Sequence, residues 1–195
     1  MILTENELGS QNLDEFTELL QEYVKLKPSS FIEIGSMYGW SLQHFIHYSE
    51  EGSTGIAIDL PVRHFVGPHD WRVEKQELNY KNAWPKWAKE KKCKLYLLPC
   101  SSHDPETVIK AKEILKGKKI DFLFIDGDHR YQAIKDDYNL YSPLVKKEGM
   151  IAFHDIGEKE EGGGRMFWNE IKNNFKYKEI LKDPNKGKGI GILYV

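Results

Sequence analysis

Two groups of residues in this sequence have types and spacing suited to chemistry. The first lies in "FIEIGSMYGWS", Phe31 to Ser41, where a short apolar run carries Glu33 and is followed by Gly35 and Gly39. Glycines at a strand-to-helix turn let the backbone bend sharply and come close to a ligand. A dinucleotide fingerprint needs a third, as G-x-G-x-x-G, and here Met37 and Tyr38 would crowd a pyrophosphate. Asp59 lies 20 residues beyond Gly39 at the end of the next apolar run, where a carboxylate accepts hydrogen bonds from a ribose diol. The pair favours a nucleoside ligand without a demanding phosphate. The plain alternative is a tight turn and a turn-capping Asp with no ligand.

The second group is Asp126, Asp128 and His129, after "FLFI", with His154 and Asp155, after "MIAF". If these run ends are neighbours, up to three carboxylates and two imidazoles converge. Oxygen ligands suit Mg²⁺, and an added imidazole admits Mn²⁺, Fe²⁺ or Zn²⁺. Imidazole also titrates near neutrality, which makes His129 the preferred general base and His154 the second. Metal ligation and base duty compete for His154, because a metal-bound nitrogen cannot take a proton. The bland reading has Asp126 capping the next helix and His154 as a satisfied, half-buried histidine.

The elements that must position these residues are apolar runs, each followed by turn residues and a helical pattern: "FIEIG" (31–35), "TGIAIDL" (54–60), "KLYLLPC" (94–100), "IDFLFIDG" (120–127) and "GMIAFHD" (149–155). Helical candidates lie near 39–50, 80–92, 105–116 and 130–142. That alternation is how a parallel sheet with crossover helices reads. An opening helix at 11–26 has Leu13, Phe16, Leu19, Leu20, Tyr23 and Val24 spaced for one buried face, to pack on a sheet edge or act as a lid. Past the fifth run, Gly162 to Gly164 read as a flexible link and "RMFWNEIKNNF" as a helix with Met166, Phe167 and Ile171 inward. Strand candidates at 176–181 and 189–194 complete the chain. The expected fold is α/β: a Rossmann-like, doubly wound, mostly parallel seven-stranded sheet with an antiparallel C-terminal strand and an extra N-terminal helix. In such a sheet ligands bind beyond the carboxyl ends of the strands, at the switch in strand order, where both groups above fall.

The 195 residues fit one domain, 1–195, in which 1–28 is an N-terminal helical extension. With 30 % charged residues and a net charge of -2 there is no electrostatic footprint for nucleic acid or anionic lipid. The run Lys89, Lys91, Lys92 and Lys94 reads as a solvated face. Cys93 and Cys100 flank one strand and should not pair. Reduced thiols, no signal peptide and no apolar run near the roughly 20 residues that span a bilayer point to a cytoplasmic protein. Self-association into a homo-oligomer is left open. The segment 61–80, "PVRHFVGPHDWRVEKQELNY" from Pro61, is too long for a simple connector. His64, Phe65, His69, Asp70 and Trp71 suit it to covering an acceptor, with Arg165 and Trp168 as the opposite wall. A partly ordered insertion or a subunit contact is the other reading.

The order "EIGSMYGWS", "IAIDL", "LPCSSHDPETV" and "DFLFIDGDHRYQAIKDDYNLYSPLVKKEGMIAFHD" resembles the class I S-adenosylmethionine-dependent methyltransferases. Within them it is most similar to the small-molecule O-methyltransferase branch that holds macrolide sugar methyltransferases and cephalosporin-hydroxylase-like proteins. The resemblance covers about 30–175, and the stretch beginning "FIDGDH" is its most specific part. It implies S-adenosylmethionine as cofactor, with Glu33, Gly35, Ser36 and Gly39 around the methionine portion, together with Met37 and Ser41 of the same turn. It further implies Asp59, beside Leu60, on the ribose hydroxyls, and Cys100, Ser101 and Ser102 beside the adenine. Met37 stands at the middle glycine of E-x-G-x-G-x-G, as is common in this branch, and Cys100 stands where an acid often precedes the serine. Asp126 belongs to the implied cofactor and catalytic sets. Asp126, His154 and Asp155 correspond to the metal ligands of metal-dependent members, where a divalent cation lowers the pKa of the substrate hydroxyl. Methyl transfer itself asks for in-line alignment and removal of the acceptor's proton. The expected activity is O-methylation of a small polar acceptor such as a sugar or secondary metabolite. Rival readings are a nicotinamide or nucleotide oxidoreductase and a cofactor-binding scaffold without turnover.

Overall fold

A computed structural model describes residues 12–61, 71–157, 162–182 and 188–195. Every expected strand forms: β1 (Ser30–Ile34), β2 (Thr54–Ile58), β3 (Lys94–Leu98), β4 (Ile120–Ile125), β5 (Val145–His154), β6 (Lys176–Ile180) and β7 (Ile190–Tyr194). They make one sheet in the order β3-β2-β1-β4-β5-β7-β6. β7 runs antiparallel to both neighbours, and the pairings among β1 to β5 are all parallel. Strand order reverses between β1 and β4. Both strands are buried there, β4 at every residue, because helices cover both faces of a parallel sheet.

The helices are α1 (Leu13–Leu26), α2 (Trp40–Tyr48), α3 (Trp71–Leu78), α4 (Trp84–Glu90), α5 (Pro105–Leu115), α6 (Tyr131–Tyr141) and α7 (Gly163–Ile171). Aliphatic side chains on one face of the sheet, such as Ile32, Ile58, Leu123 and Ile151, pack with Ala111, Ile134, Phe167 and Trp168. On the other face Phe31, Phe122 and Phe124 meet Phe16, Tyr23, Phe45 and Trp84. Each such side chain contributes about 1.5–3 kcal/mol by leaving water. Tyr23 is fully buried at no polar cost, since its hydroxyl donates to the Phe45 carbonyl at 2.9 Å.

Helix α1 starts where Asn12 Oδ1 accepts from the backbone of Asp14 and Glu15, and stops at Lys27, which is left-handed just before Pro28. It lies against α2, β7 and the edge strand β6, so it packs at that side of the sheet and is no lid, and Leu13 and Val24 point outward.

Five other expectations change. The segment 61–80 is not one loop: Trp71–Leu78 is helical, and a π-helical turn at Asn79–Ala83 carries the chain into α4. The helix expected from residue 80 therefore begins at Trp71. His64, Phe65, His69 and Asp70 lie outside the described residues, while Trp71 is 65 % exposed. Gly163 and Gly164 form the first turn of α7 instead of a flexible link. Added methyls there would strike the backbone of His129 and Asp155 respectively, so tight packing demands glycine. Met166 faces outward, and Trp168 is buried with its indole Nε1 donating to Glu179 at 2.6 Å. Trp168 thus belongs to the core beneath β6 and is no wall of an acceptor site. Cys93 and Cys100 are both free, as expected. Among the described residues no helix is long and apolar enough to cross a membrane.

Candidate functional site

At the end of β1 the chain makes a tight loop, Gly35 to Gly39, before α2. Gly35 has φ 89°, and a methyl in its place would collide with the backbone carbonyl of Asp126. The loop and the end of β4 therefore touch. Glu33 is fully buried beneath, accepting from Ser36 Oγ at 2.6 Å and from Ser41 Oγ. Burial raises its pKa to about 8, against the pull of those hydroxyls. Met37 is left-handed at φ 45° and half exposed, and its N–H donates to the Asp59 carboxylate. Burial lifts Asp59 to about 6, opposed by its bonds to the backbone of Met37 and Leu60.

The structure thus gathers Glu33, Gly35, Ser36, Met37, Gly39, Ser41, Asp59 and Leu60 into one crease. The end of β3 adjoins it, with the Asp59 N–H donating to the Leu98 carbonyl at 3.2 Å. Beyond β3, Cys100 Sγ accepts from Thr107 at 3.1 Å, Ser101 Oγ accepts from the His103 N–H at 3.2 Å, and the Ser102 carbonyl accepts from the Tyr141 hydroxyl at 2.8 Å.

Sequence reasoning missed the side chains that hold the loop from outside. Asn79 Nδ2 and Trp84 Nε1 donate to the Tyr38 carbonyl at 2.9 and 3.2 Å, and Gln76 Nε2 donates to the Met37 carbonyl at 3.3 Å. Gly39, at φ 83°, is pressed against the Trp84 indole. It also missed buried Asp137, whose Oδ1 lies 3.1 Å from His103 Nε2 and whose pKa burial raises to about 6. A side-chain bond to a backbone some 40 residues away has no periodic signature. The proline in "NAWPK" was the one available sign that this helix was irregular.

The second group converges in part. His154 Nδ1 lies 3.0 Å from Asp126 Oδ1 and 3.1 Å from Asp155 Oδ1, a buried ion pair, while its Nε2 has no hydrogen-bond partner among the described residues. His129 Nδ1 is 2.9 Å from Asp155 Oδ2, and its Nε2 is 3.7 Å from Asp126. Asp128 does not join them: it is turned outward to Arg130, accepting from its backbone at 3.0 Å and from its guanidinium. Two carboxylates and two imidazoles meet, not three and two. The carboxylates of Asp126 and Asp155 hold His129 up at about 10. His154 also rises to about 10, because the same two carboxylates outweigh its burial. Asp126 and Asp155 are held low in turn, against a burial that would raise them. In the free protein His129 is therefore an imidazolium at neutral pH, not a ready base. His154, its side chain 1 % exposed, is out of an acceptor's reach. Asp155 is left-handed at φ 60° and Gly164 packs on its carbonyl, an arrangement that stores strain beside the cluster.

Asp126, His154 and Asp155 offer ligand atoms within 4.8 Å of one another. Two carboxylate oxygens and one imidazole nitrogen form a donor set that fits a divalent ion of the Mg²⁺ to Zn²⁺ series.

The sheet order is that of a Rossmann-like methyltransferase fold. A family model described as a methyltransferase domain matches residues 32–156, and the chain belongs to that family. Among solved structures it is similar to an O-methyltransferase from Bacillus cereus in complex with SAH, at 15 % identity and a TM-score of 0.62 over 97 % of this chain and 86 % of that one. It is likewise similar to the O-methyltransferase TomG of tomaymycin synthesis from Streptomyces achromogenes in complex with SAM (12 %, TM-score 0.60, 95 % and 81 %). A third is a TDP-rhamnose 3'-O-methyltransferase of calicheamicin biosynthesis (15 %, TM-score 0.60, 93 % and 78 %). Of curated proteins, an uncharacterized one from Acanthamoeba polyphaga mimivirus is 58 % identical over 36 residues, 18 % of this chain. Another from Sinorhizobium fredii is 26 % identical over 95 residues, 46 % of this chain. Those matches span 16 % and 10 % of the relatives' own lengths.

Proposed function

We propose that the protein transfers the methyl group of S-adenosylmethionine to a hydroxyl oxygen of a small polar acceptor, such as a sugar or secondary metabolite. The observation that carries this reading is the contact between Gly35 and the Asp126 carbonyl, which sets the Gly35–Gly39 loop side by side with the acid and imidazole cluster. The family match and the named SAM- and SAH-bound structures support the cofactor, and the sugar methyltransferase supports the acceptor class.

In this reading the loop and Glu33 receive the methionine end, Asp59 the ribose, and the turn at Cys100 to Ser102 the adenine. No pyrophosphate is present, so Met37 can keep its side chain where a dinucleotide would need glycine. His129, its side chain 48 % exposed, is the cluster member that an acceptor can reach. As an imidazolium it donates a hydrogen bond that orients the hydroxyl, and it accepts the hydroxyl's proton only after releasing its own to solvent. His154 keeps a buried place behind it, positioning the carboxylates. A divalent cation held by Asp126, His154 and Asp155 would supply acidity to the acceptor hydroxyl.

Calorimetric titration with S-adenosylmethionine, S-adenosylhomocysteine and NAD tests the cofactor: the first two should bind, and a protein that binds only NAD is not this enzyme. A chelator tests the cation. Transfer should be lost on chelation and restored by Mg²⁺ or Mn²⁺; full activity after exhaustive chelation would remove the cation from the mechanism.

A further inference from the structure

The π-helical turn between α3 and α4 has a local cause and a geometric effect. Pro85, in the first turn of α4, has no N–H and would crowd the carbonyl four residues back in a continuous α-helix. The turn widens at Asn79–Ala83, and the Trp84 N–H bonds to the Asn79 carbonyl, an i to i+5 closure. On an α-helix residues five apart point about 140° away from one another. The wider turn brings Asn79 and Trp84 to the same side, where both donate to the single carbonyl of Tyr38. Gln76, a turn earlier, takes the adjacent carbonyl of Met37. With both carbonyls drawn outward, Met37 adopts its left-handed conformation and its N–H turns inward to Asp59.

We infer that the π turn makes Gln76, Asn79 and Trp84 a clamp that positions the Gly35–Gly39 loop for the methionine and ribose portions of the cofactor. This assignment rests on the methyltransferase reading above. The three are positioning residues that act through the loop backbone; the loop touches the ligand and they do not. The clamp also ties the loop to the helix that begins at exposed Trp71, so movement of α3 reaches the cofactor pocket through two peptide carbonyls.

Two variants isolate the clamp. Asn79→Asp keeps the shape and replaces the donor by an acceptor facing a carbonyl. Deletion of the exposed Lys81 removes one residue from the π turn and rotates Asn79 away from Trp84, with Lys81→Ala as the full-length control. Amide hydrogen exchange in the ligand-free protein reads the loop directly. Both variants should speed exchange at Met37 and Gly39 at least tenfold while β1 and β4 amides keep wild-type rates; unchanged exchange at Met37 and Gly39 overturns the clamp. Titration with S-adenosylhomocysteine, at a temperature where near-UV circular dichroism shows both proteins folded, should give a dissociation constant raised about tenfold or more in Asn79→Asp and unchanged in Lys81→Ala. If wild type binds and Asn79→Asp binds within twofold of it, the positioning role is wrong. If wild type binds no cofactor, the function reading fails and the positioning role with it, whereas the exchange data alone decide whether the clamp holds the loop.

Discussion

Glu33 is a carboxyl group with no exposed surface at the end of the first strand, and both of its oxygens are taken by serine hydroxyls. Its pKa near 8 in the folded chain stands above the 4.5 of an ordinary glutamate. The folded state therefore holds a proton that the unfolded chain has lost, and stability must fall as pH rises from about 4.5 through about 8, by about 1.4 kcal/mol per pH unit between those limits. Glu33→Gln should remove that slope. Urea unfolding at pH 5, 6, 7 and 8 checks it: the variant should gain on wild type with each step upward, and parallel curves would contradict the assignment. The polar residues that interrupt the apolar runs, Glu33, Asp59, Asp126 and His154, were legible because a buried strand tolerates such groups only with partners. Asp128 was not. Spacing places its backbone at the strand end, but Arg130 two residues on decides which way the carboxylate turns.

At the scale of elements, seven strands and most helices could be read from short apolar runs and their punctuation. The exceptions share a cause. Helix α3 was read as part of the segment 61–80, and the π turn at the start of the helix expected at 80–92 went unread, since a π turn leaves no repeat in so short a stretch. The triple glycine was misread for a related reason: composition shows small residues, but not whether they are small for freedom or for lack of room. At Gly163 and Gly164 it is lack of room. Gly163→Ala would drive a methyl into the backbone between His129 and Tyr131, which no change of rotamer relieves. It should cost about 1–3 kcal/mol or more, measured by thermal unfolding, and should lower methyl transfer further than stability alone explains, because His129 must move. A variant with wild-type stability and turnover would show that α7 does not seat the cluster.

Across the whole molecule the two ends of the described chain are joined through α1. Glu15 is 1 % exposed, and its two carboxyl oxygens accept the backbone N–H groups of Lys182 and Gly189 at 2.8 and 3.0 Å. Glu15→Ala would leave two amides without partners, at about 1–3 kcal/mol for each that stays buried. Equilibrium urea unfolding should show that loss, and a cost under about half a kcal/mol would mean that the amides had found water. The same bond sets a clock for synthesis. Residue 189 leaves the ribosome about 10–35 s after residue 15 at ordinary elongation rates. Until then the first helix carries an acidic group on its apolar face with nothing to receive it. The native docking of α1 is thus completed only when the segment that carries Lys182 and Gly189 is in place, although the two lie far from Glu15 in sequence.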